Sequence, residues 1–296
     1  MGNLFLLLLA ALIWGFAFVA QKVGMDYIGP FAFNGIRFLL GAFSLLPLLL
    51  FVKKLFGYSS NRHNLSITIQ GGLLLGLVLF VAASFQQIGI IETTAGNSGF
   101  ITSLYIIIVP FLGVFFKHKI TLNVWAGAFL AVIGLYFLSV TGGFKMAQGD
   151  ALVLVSAFFF AVHILLIGYY APRTHVLLLS IIQFAVSALL SLMAALLFEK
   201  IRWSALEEAA VPLLYGGIMS IGVAYTLQVI AQRNVTASKA AIVLSLESVF
   251  AALGGILLLE ETVTLRKAVG GLLVLAGIIL SQLDFSGKRV VKESGK

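Results

Sequence analysis

The chain has 296 residues, of which 61% are hydrophobic and only 10% are charged, and its mean hydropathy is +1.11. About a quarter of a soluble domain is charged, so this composition excludes an ordinary soluble fold and indicates a protein that resides in a lipid bilayer. The absence of cysteine excludes disulfides, thiolate metal sites and cysteine nucleophiles. The net charge of +8 does not indicate nucleic-acid binding, because the basic residues stand in small groups between apolar stretches, where membrane topology explains them.

Ten apolar stretches of roughly 18 to 24 residues follow one another along the chain. Each is long enough to cross a hydrocarbon core of about 30 Å at ~1.5 Å per residue. Their continuous apolar character lacks the alternation of barrel strands, so we predict α-helices. The first stretch is expected to remain, because no Lys or Arg precedes it as in a signal peptide. The predicted helices are 3–20, 30–52, 66–89, 93–116, 122–140, 148–169, 177–198, 210–231, 237–259 and 266–283.

The distribution of basic residues predicts that both termini are cytoplasmic. Of the 19 Lys and Arg residues, twelve fall in loops or the tail on the side of the N-terminus, six fall in loops on the other side, and Arg37 lies within a helix. This excess agrees with the positive-inside rule. The loops are too short to hold a soluble domain, so function is expected within the membrane.

The second half of the sequence resembles the first. FQQIGIIETTAGNSGFITSL aligns without a gap with LQVIAQRNVTASKAAIVLSL, which pairs Gln86 with Gln228 and Ser103 with Ser245. The alternative is chance similarity between apolar helices. Because each copy has an odd number of helices, the copies enter the membrane from opposite sides, as in the inverted repeats of many secondary transporters. We predict an all-α integral membrane protein of ten helices in two inverted five-helix repeats. The predicted boundaries are 1–141 and 142–284 for the repeats and 285–296 for a short basic cytoplasmic tail.

Several of these segments resemble a known family. ALIWGFAFVAQKVG and PFAFNGIRFLLGAF, with LSLESVFAALGGILLLEETVTLRKAVGGLLVLAGIIL in the second half, resemble the two EamA-type repeats of the drug/metabolite transporter superfamily. Glu247 corresponds to an acidic residue that such repeats often show before a proline, and Glu260 or Glu261 to an acid at the helix end. Ser248 replaces that proline, and the first repeat ends in the basic KHK at 117–119. The resemblance implies a ten-helix carrier with a central cavity, often an exporter of amino acids or related small metabolites.

Two ionisable residues within predicted helices are the first candidates for a functional site, because burying a charge in a bilayer is expensive. Glu247 is either a protonated, hydrogen-bonded structural residue or a cavity group that binds a substrate ammonium or a coupling proton. Arg37 is either a structural clamp or a carboxylate-binding group suited to a bidentate contact. The repeat alignment predicts that Gln183, itself a cavity candidate, contacts Glu247, and that Tyr105 contacts Arg37.

The remaining cavity candidates are polar or aromatic side chains in the predicted helices. Gln86 is expected either to cap a helix end at the membrane surface or to line the cavity, and Gln228 lies deeper. His163 is either a hydrogen-bonded buried histidine or a proton relay. Trp14 and Tyr225 either pack the interior or stack against an aromatic or cationic substrate.

Motifs of enzymes are missing from the sequence. It has no GxSxG, no HExxH and no Walker lysine after a glycine-rich loop, and its four histidines are scattered. We therefore predict no enzymatic activity, no cofactor and no metal site. The predicted function is secondary transport in the prokaryotic inner membrane, with export of amino acids or other small metabolites by alternating access, and proton exchange is the candidate drive.

Two alternatives stay open, a multidrug carrier for lipophilic cations and a membrane sensor or scaffold without transport. The expected partners are a small-molecule substrate, protons and membrane lipid, and no nucleic acid. The chain is expected to be a monomer or a weak dimer.

Overall fold

Every regular element in the described part of the chain is helical. The structure is a computed structural model, and it describes residues 2–56, 64–115, 120–139, 148–200, 202–258 and 264–283. Within this part, eight helical segments are long and apolar enough to cross a membrane by length and composition, and two shorter apolar helices are present. The described elements correspond in order to the ten predicted stretches. The acids at 260 and 261, the KHK at 117–119 and the predicted tail lie outside the described residues.

The described residues of the first half form six helices. They are α1 (Gly2–Gly24), α2 (Pro30–Phe56), α3 (Leu65–Gly89), α4 (Ala95–Ser103), α5 (Tyr105–Phe115) and α6 (Leu122–Ser139). Those of the second half form eight α-helices. They are α7 (Gln148–Tyr170), α8 (Val176–Phe198), α9 (Trp203–Glu208), α10 (Ala210–Leu214), α11 (Thr226–Ala231), α12 (Ala237–Leu244), α13 (Leu246–Leu258) and α14 (Leu265–Gln282). A π-helical segment, Tyr215–Tyr225, joins α10 to α11.

Three predicted continuous helices are interrupted. The predicted helix 93–116 breaks between α4 and α5, and 237–259 breaks between α12 and α13. The third, 210–231, is interrupted by the π-helical segment between α10 and α11. At the second break, the hydroxyl of Ser245 donates to the carbonyl oxygen of Ile242 (2.7 Å). The hydroxyl of Ser248 donates to the carbonyl oxygen of Ser245 (2.7 Å). Serine hydroxyls that bond to backbone carbonyls compete with the helical pattern, which explains a break within an apolar run.

The helix pair α6 and α14 packs backbone to backbone through glycines. A Cβ added to Gly127 would lie 2.5 Å from the carbonyl oxygen of Gly277, and a Cβ on Gly277 would lie 2.5 Å from that of Gly127. A Cβ on Gly134 would lie 2.6 Å from the carbonyl oxygen of Gly270. The contacts run in opposite directions along the two helices, so the pair is antiparallel. Small residues permit this approach where lipid leaves van der Waals packing as the main attraction.

The helix ends form two faces. The terminal face carries the first residues of α6 and α12 and the last residues of α7, α11 and α14. Here the side-chain amide of Asn123 donates to the carbonyl oxygen of Leu283 (2.6 Å). The opposite face carries the last residues of α1, α3 and α8 and the first residues of α2, α4 and α7.

Three polar contacts fasten the opposite face. The Lys22 ammonium donates to two carbonyl oxygens at the end of α3, both at 2.9 Å. The Glu199 carboxylate accepts from two backbone N–H groups in the first turn of α2, at 2.7 and 2.8 Å. The Thr93 hydroxyl donates to the carboxylate of Asp150 (2.6 Å). The helix dipole stabilises a carboxylate at a helix N-terminus and an ammonium at a helix C-terminus.

We predict that Gly127→Ala destabilises the protein. The added methyl group would overlap the α14 backbone, and overpacking of this kind costs about 1–3 kcal/mol. Thermal unfolding of the purified protein in detergent should show a Tm several degrees lower. Gly96→Ala is the matched control, because a Cβ at Gly96 meets no atom within 4 Å. Equal Tm values for the two variants would contradict the close packing of α6 and α14.

Candidate functional site

Two of the three interrupted helices meet at their breaks, which lie between α4 and α5 and between α12 and α13. The hydroxyl of Ser103, the last residue of α4, donates to the carbonyl oxygen of Ser245, 3.4 Å away. Immediately after the breaks, Tyr105 begins α5 and Glu247 stands in the first turn of α13. The breaks therefore bring a phenol and a carboxyl group together in the interior.

Glu247 is buried within the protein, with 4% of its surface exposed. The hydroxyls of Tyr105 and Ser103 are the side-chain groups that interact with its carboxyl. Neither Glu247 Oε1 nor the Tyr105 hydroxyl has a well-formed hydrogen bond, so the approach of these groups is loose. The predicted contact between Glu247 and Gln183 is not formed.

Gln183 instead contacts a histidine on the neighbouring helix. Its Oε1 lies 2.9 Å from Nε2 of His163, and its Nε2 has no hydrogen-bond partner. Helix register explains the error in the predicted pair, because the repeat alignment fixes the depth of Gln183 but not the direction in which α8 presents it.

Arg37 is also buried, with 3% of its surface exposed. Its Nε donates to Oδ1 of Asn34 (2.9 Å), one turn earlier on α2. The guanidinium carbon lies 5.5 Å from the ring centroid of Phe33 and 5.3 Å from that of Phe38, within the range of cation–π attraction. The predicted contact with Tyr105 is replaced by these neighbours. The i to i+3 spacing of asparagine and arginine was the sequence signal that could have identified Asn34.

An aromatic group lies beside these residues. The rings of Trp14 and Tyr225 meet edge to face with centroids 4.6 Å apart, and the Tyr225 ring is 5.8 Å from His163. The indole N–H of Trp14 donates to the carbonyl oxygen of Ser220 (3.1 Å). Ser220 belongs to the π-helical segment, and such segments frequently occur at functional sites.

One cavity collects most of the residues that the sequence singled out. Eight of the nine candidates line it, and the ninth, Gln183, lies behind the wall in contact with the lining residue His163. The eight are Trp14, Arg37, Gln86, Tyr105, His163, Tyr225, Gln228 and Glu247. They come from both halves of the chain. The free volume is about 40 Å³, which leaves room for only one or a few water molecules.

Sequence reasoning missed several residues of the cavity wall. Gln86 does not cap a helix end, because it is buried and its Nε2 donates to the hydroxyl of Thr102 (3.0 Å). Thr102 lies one turn before Tyr105, and as a small polar residue within an apolar stretch it does not stand out in the sequence. The other residues missed are Phe18, Gln21, Phe160, Ile164 and Ser220.

The cavity wall contains polar atoms without partners. These are Oε1 of Gln21, the hydroxyl of Tyr105, Oε1 of Gln228 and Oε1 of Glu247. Buried polar groups normally have a hydrogen-bond partner, and a group of orphaned atoms around free space indicates a site for water or a ligand. Among the described residues, no cluster of three His, Asp or Glu side chains could hold a metal ion.

The helical membrane fold and this central polar cavity define an integral membrane protein of the transporter class. The EamA-like transporter family matches residues 1–140 and, a second time, residues 147–283. The chain therefore belongs to the EamA-like transporter family, which confirms the resemblance seen in the sequence.

Similar proteins cover nearly the whole chain. An uncharacterized transporter of Archaeoglobus fulgidus is 33% identical over 278 residues, which is 94% of this chain and 84% of the relative. A probable amino-acid metabolite efflux pump of Salmonella typhimurium is 27% identical over 98% of both chains. A solved crystal structure aligns with a TM-score of 0.76 at 18% identity, covering 95% of this chain and 96% of the other. At this identity the last match supports the fold alone.

Proposed function

We propose that the chain exports amino acids or closely related metabolites across the cell membrane of a prokaryote, by alternating access through the central cavity. The observation that carries this proposal is the presence of a carboxyl group, Glu247, and a guanidinium group, Arg37, in the wall of one cavity. A zwitterion offers an ammonium to the first and a carboxylate to the second, and a carboxylate can take two hydrogen bonds from arginine. The name of the Salmonella relative agrees with this substrate class.

The proposal includes two inverted five-helix repeats, residues 1–141 and 142–284. Residues that the repeat alignment equates touch each other, namely Ser103 with Ser245 and Tyr105 with Glu247. Equivalent residues meet only close to a symmetry axis. The packing of α1 on α12 and α13 has its counterpart in the packing of α7 on α4 and α5. Both observations support a two-fold axis in the membrane plane, the arrangement that gives a carrier two related conformations.

The two faces of the protein support an orientation in the membrane and a conformational state in which the opposite face is closed. Both faces carry Lys and Arg residues, and the excess in the full sequence, twelve on the side of the N-terminus against six on the other, supports a cytoplasmic location of the terminal face and of both termini. The contacts of Lys22, Glu199 and Thr93 close the opposite face. A free volume of about 40 Å³ is too small for an amino acid, because sites for small molecules usually measure ~300–1,000 Å³. Export therefore requires the helices around Trp14 and Tyr225 to separate.

Proton exchange is the drive that we propose. Glu247 has an oxygen without a partner, and the cavity offers no second carboxyl group in its described wall. A proton and a substrate ammonium would therefore compete for the same group. Competition for one site makes the carrier release one cation before it takes the other, which couples the two fluxes.

A specific observation favours a second candidate, a carrier of lipophilic cations. The cavity places Trp14, Tyr225 and Phe160 in the same wall as Glu247, and aromatic faces with a nearby carboxyl group attract organic cations. Transport assays in vesicles distinguish the candidates. We expect the purified protein to move radiolabelled zwitterionic amino acids and not methyl viologen. Selective movement of methyl viologen would replace the first candidate with the second, and the absence of flux for a broad panel would contradict transport.

We predict that Glu247→Gln abolishes the dependence of flux on a pH gradient while the protein still reaches the membrane. The amide keeps the size of the side chain but does not exchange a proton at neutral pH. Uptake into everted vesicles, with and without an imposed pH gradient, measures the effect. Asp26→Asn is the control, because it removes an exposed carboxyl group at the opposite face. Unchanged proton-coupled flux in the glutamate variant would give Glu247 a structural role.

We predict that Arg37→Gln weakens the transport of amino acids selectively. A hydrogen bond to a charged group contributes about 1.5–3 kcal/mol, so the KM for an amino acid should rise by roughly 10- to 100-fold. An amine analogue of the same amino acid, which lacks the carboxylate, should be transported equally by the unchanged protein and by the Arg37→Gln variant. Because the comparison is made between two substrates of one variant, a loss of folded protein cannot imitate it. A parallel change for both substrates would show that Arg37 does not bind the carboxylate.

A further inference from the structure

A second and wider cavity opens at the terminal face. Its volume is about 540 Å³, within the range of sites that bind small metabolites. The wall is formed by the start of α6, the end of α7, the 3-10 turn Ala171–Arg173 and the start of α12. No residue of the central cavity belongs to this wall. We call it the basic vestibule.

Two cations line the basic vestibule, Arg173 and Lys239, and no acidic residue does. Within the described ranges, neither cation forms an ion pair. Arg173 is held at the rim, where its guanidinium carbon lies 4.2 Å from the ring centroid of Tyr169 and its Nη1 donates to the carbonyl oxygen of the same residue. The cationic group therefore stays at the cavity instead of extending into solvent.

The start of α12 adds to the positive potential. Its N-cap residue, Thr236, makes no side-chain hydrogen bond, whereas Thr94 at the equivalent position caps α4 by accepting from the N–H of Asn97 (3.1 Å). The first N–H groups of a helix without such a cap remain available to an anion.

A hydroxyl group in the wall gives independent support for a ligand. Ser238 lines the basic vestibule although only 4% of its surface is exposed, and its side chain makes no hydrogen bond to the part of the chain that the structure describes. The hydroxyl is therefore free to donate a hydrogen bond to an acceptor in the cavity, and the cations around it favour an anionic acceptor.

We infer that the basic vestibule binds the oxyanion group, carboxylate or phosphate, of a small soluble anion. This site is separate from the central cavity, and binding there does not depend on transport. Membrane topology accounts for an exposed cation such as Arg233 at the same face, but not for two cations around a cavity whose wall also holds the unpartnered hydroxyl of Ser238. In the repeat alignment, Gly96 and Asn97 of the first repeat correspond to Ser238 and Lys239 of the second. The fold of the repeat therefore does not require a serine or a lysine at these two positions.

The absence of native cysteine makes a direct test available in the full-length protein. Thr121→Cys places a single thiol in the vestibule wall, and its rate of modification is measured with an anionic and a cationic methanethiosulfonate reagent. We expect the anionic reagent to be faster by about tenfold at low salt, because two nearby unit charges attract one reagent and repel the other. The preference should shrink as salt is added. Thr236→Cys is a second reporter if the first variant does not fold.

Charge removal identifies the source of the preference. Arg173→Gln combined with Lys239→Gln should abolish it, while Arg233→Gln, the matched control on the same face, should leave it unchanged. Gly96→Cys reports on the opposite face and should show no anionic preference. Equal rates for the two reagents at Thr121→Cys, or a preference that survives the double substitution, would overturn the proposal.

A final comparison separates a soluble anion from a lipid headgroup. Inorganic phosphate or acetate should slow modification of the Thr121→Cys thiol in nanodiscs of phosphatidylcholine, and Ser238→Ala should weaken this protection. The protection should persist in nanodiscs that contain phosphatidylglycerol. If both the preference for the anionic reagent and the protection by phosphate or acetate are lost in phosphatidylglycerol, an anionic lipid occupies the vestibule. If neither lipid shows protection, the vestibule does not bind oxyanions. Either result contradicts the proposal without affecting the proposed export.

Discussion

Lipid offers no hydrogen-bond partner, so each polar group inside the bilayer must find one within the protein or line a cavity. This constraint explains the arrangement around Glu247. Two long helices break where Ser103 meets Ser245, and the breaks bring the carboxyl group of Glu247 to the hydroxyl of Tyr105. Arg37 meets the same constraint differently, through Asn34 and two phenylalanine rings. Four of the unpartnered polar atoms, on Gln21, Tyr105, Gln228 and Glu247, lie in the wall of the central cavity, where water or substrate can reach them.

The structure joins a closely packed helix pair to a group of interrupted helices. The glycine contacts between α6 and α14 leave no space for an additional methyl group, and close packing of this kind resists continuous deformation. The helices around the central cavity have breaks and a π-helical segment instead, and their orphaned polar atoms show incomplete pairing. Interrupted helices at a central site are typical of carriers, because half-helices can move separately.

Composition and helix length predicted the described helices well, because a span of the bilayer needs about twenty apolar residues and little else. The cost of burying charge also directed attention to Glu247 and Arg37, and the structure brings both to one cavity. The partners of these residues were not predictable in the same way. The repeat alignment gives depth, whereas a contact also requires the rotation of each helix, so Gln183 was expected at Glu247 and instead meets His163. The break at Ser245 and the π-helical segment depend on local backbone competition that hydropathy does not report.

The central claim is that the two halves cross the membrane in opposite directions around a shared axis. Thr94 and Thr236 occupy equivalent, exposed positions at the N-caps of α4 and α12. Thr94→Cys and Thr236→Cys, each in the cysteine-free chain, can be exposed to a membrane-impermeant maleimide in intact cells and again after permeabilisation. The account predicts that the thiol at position 94 reacts in intact cells and that the thiol at position 236 reacts only after permeabilisation. Reaction of both thiols from the same side would contradict it.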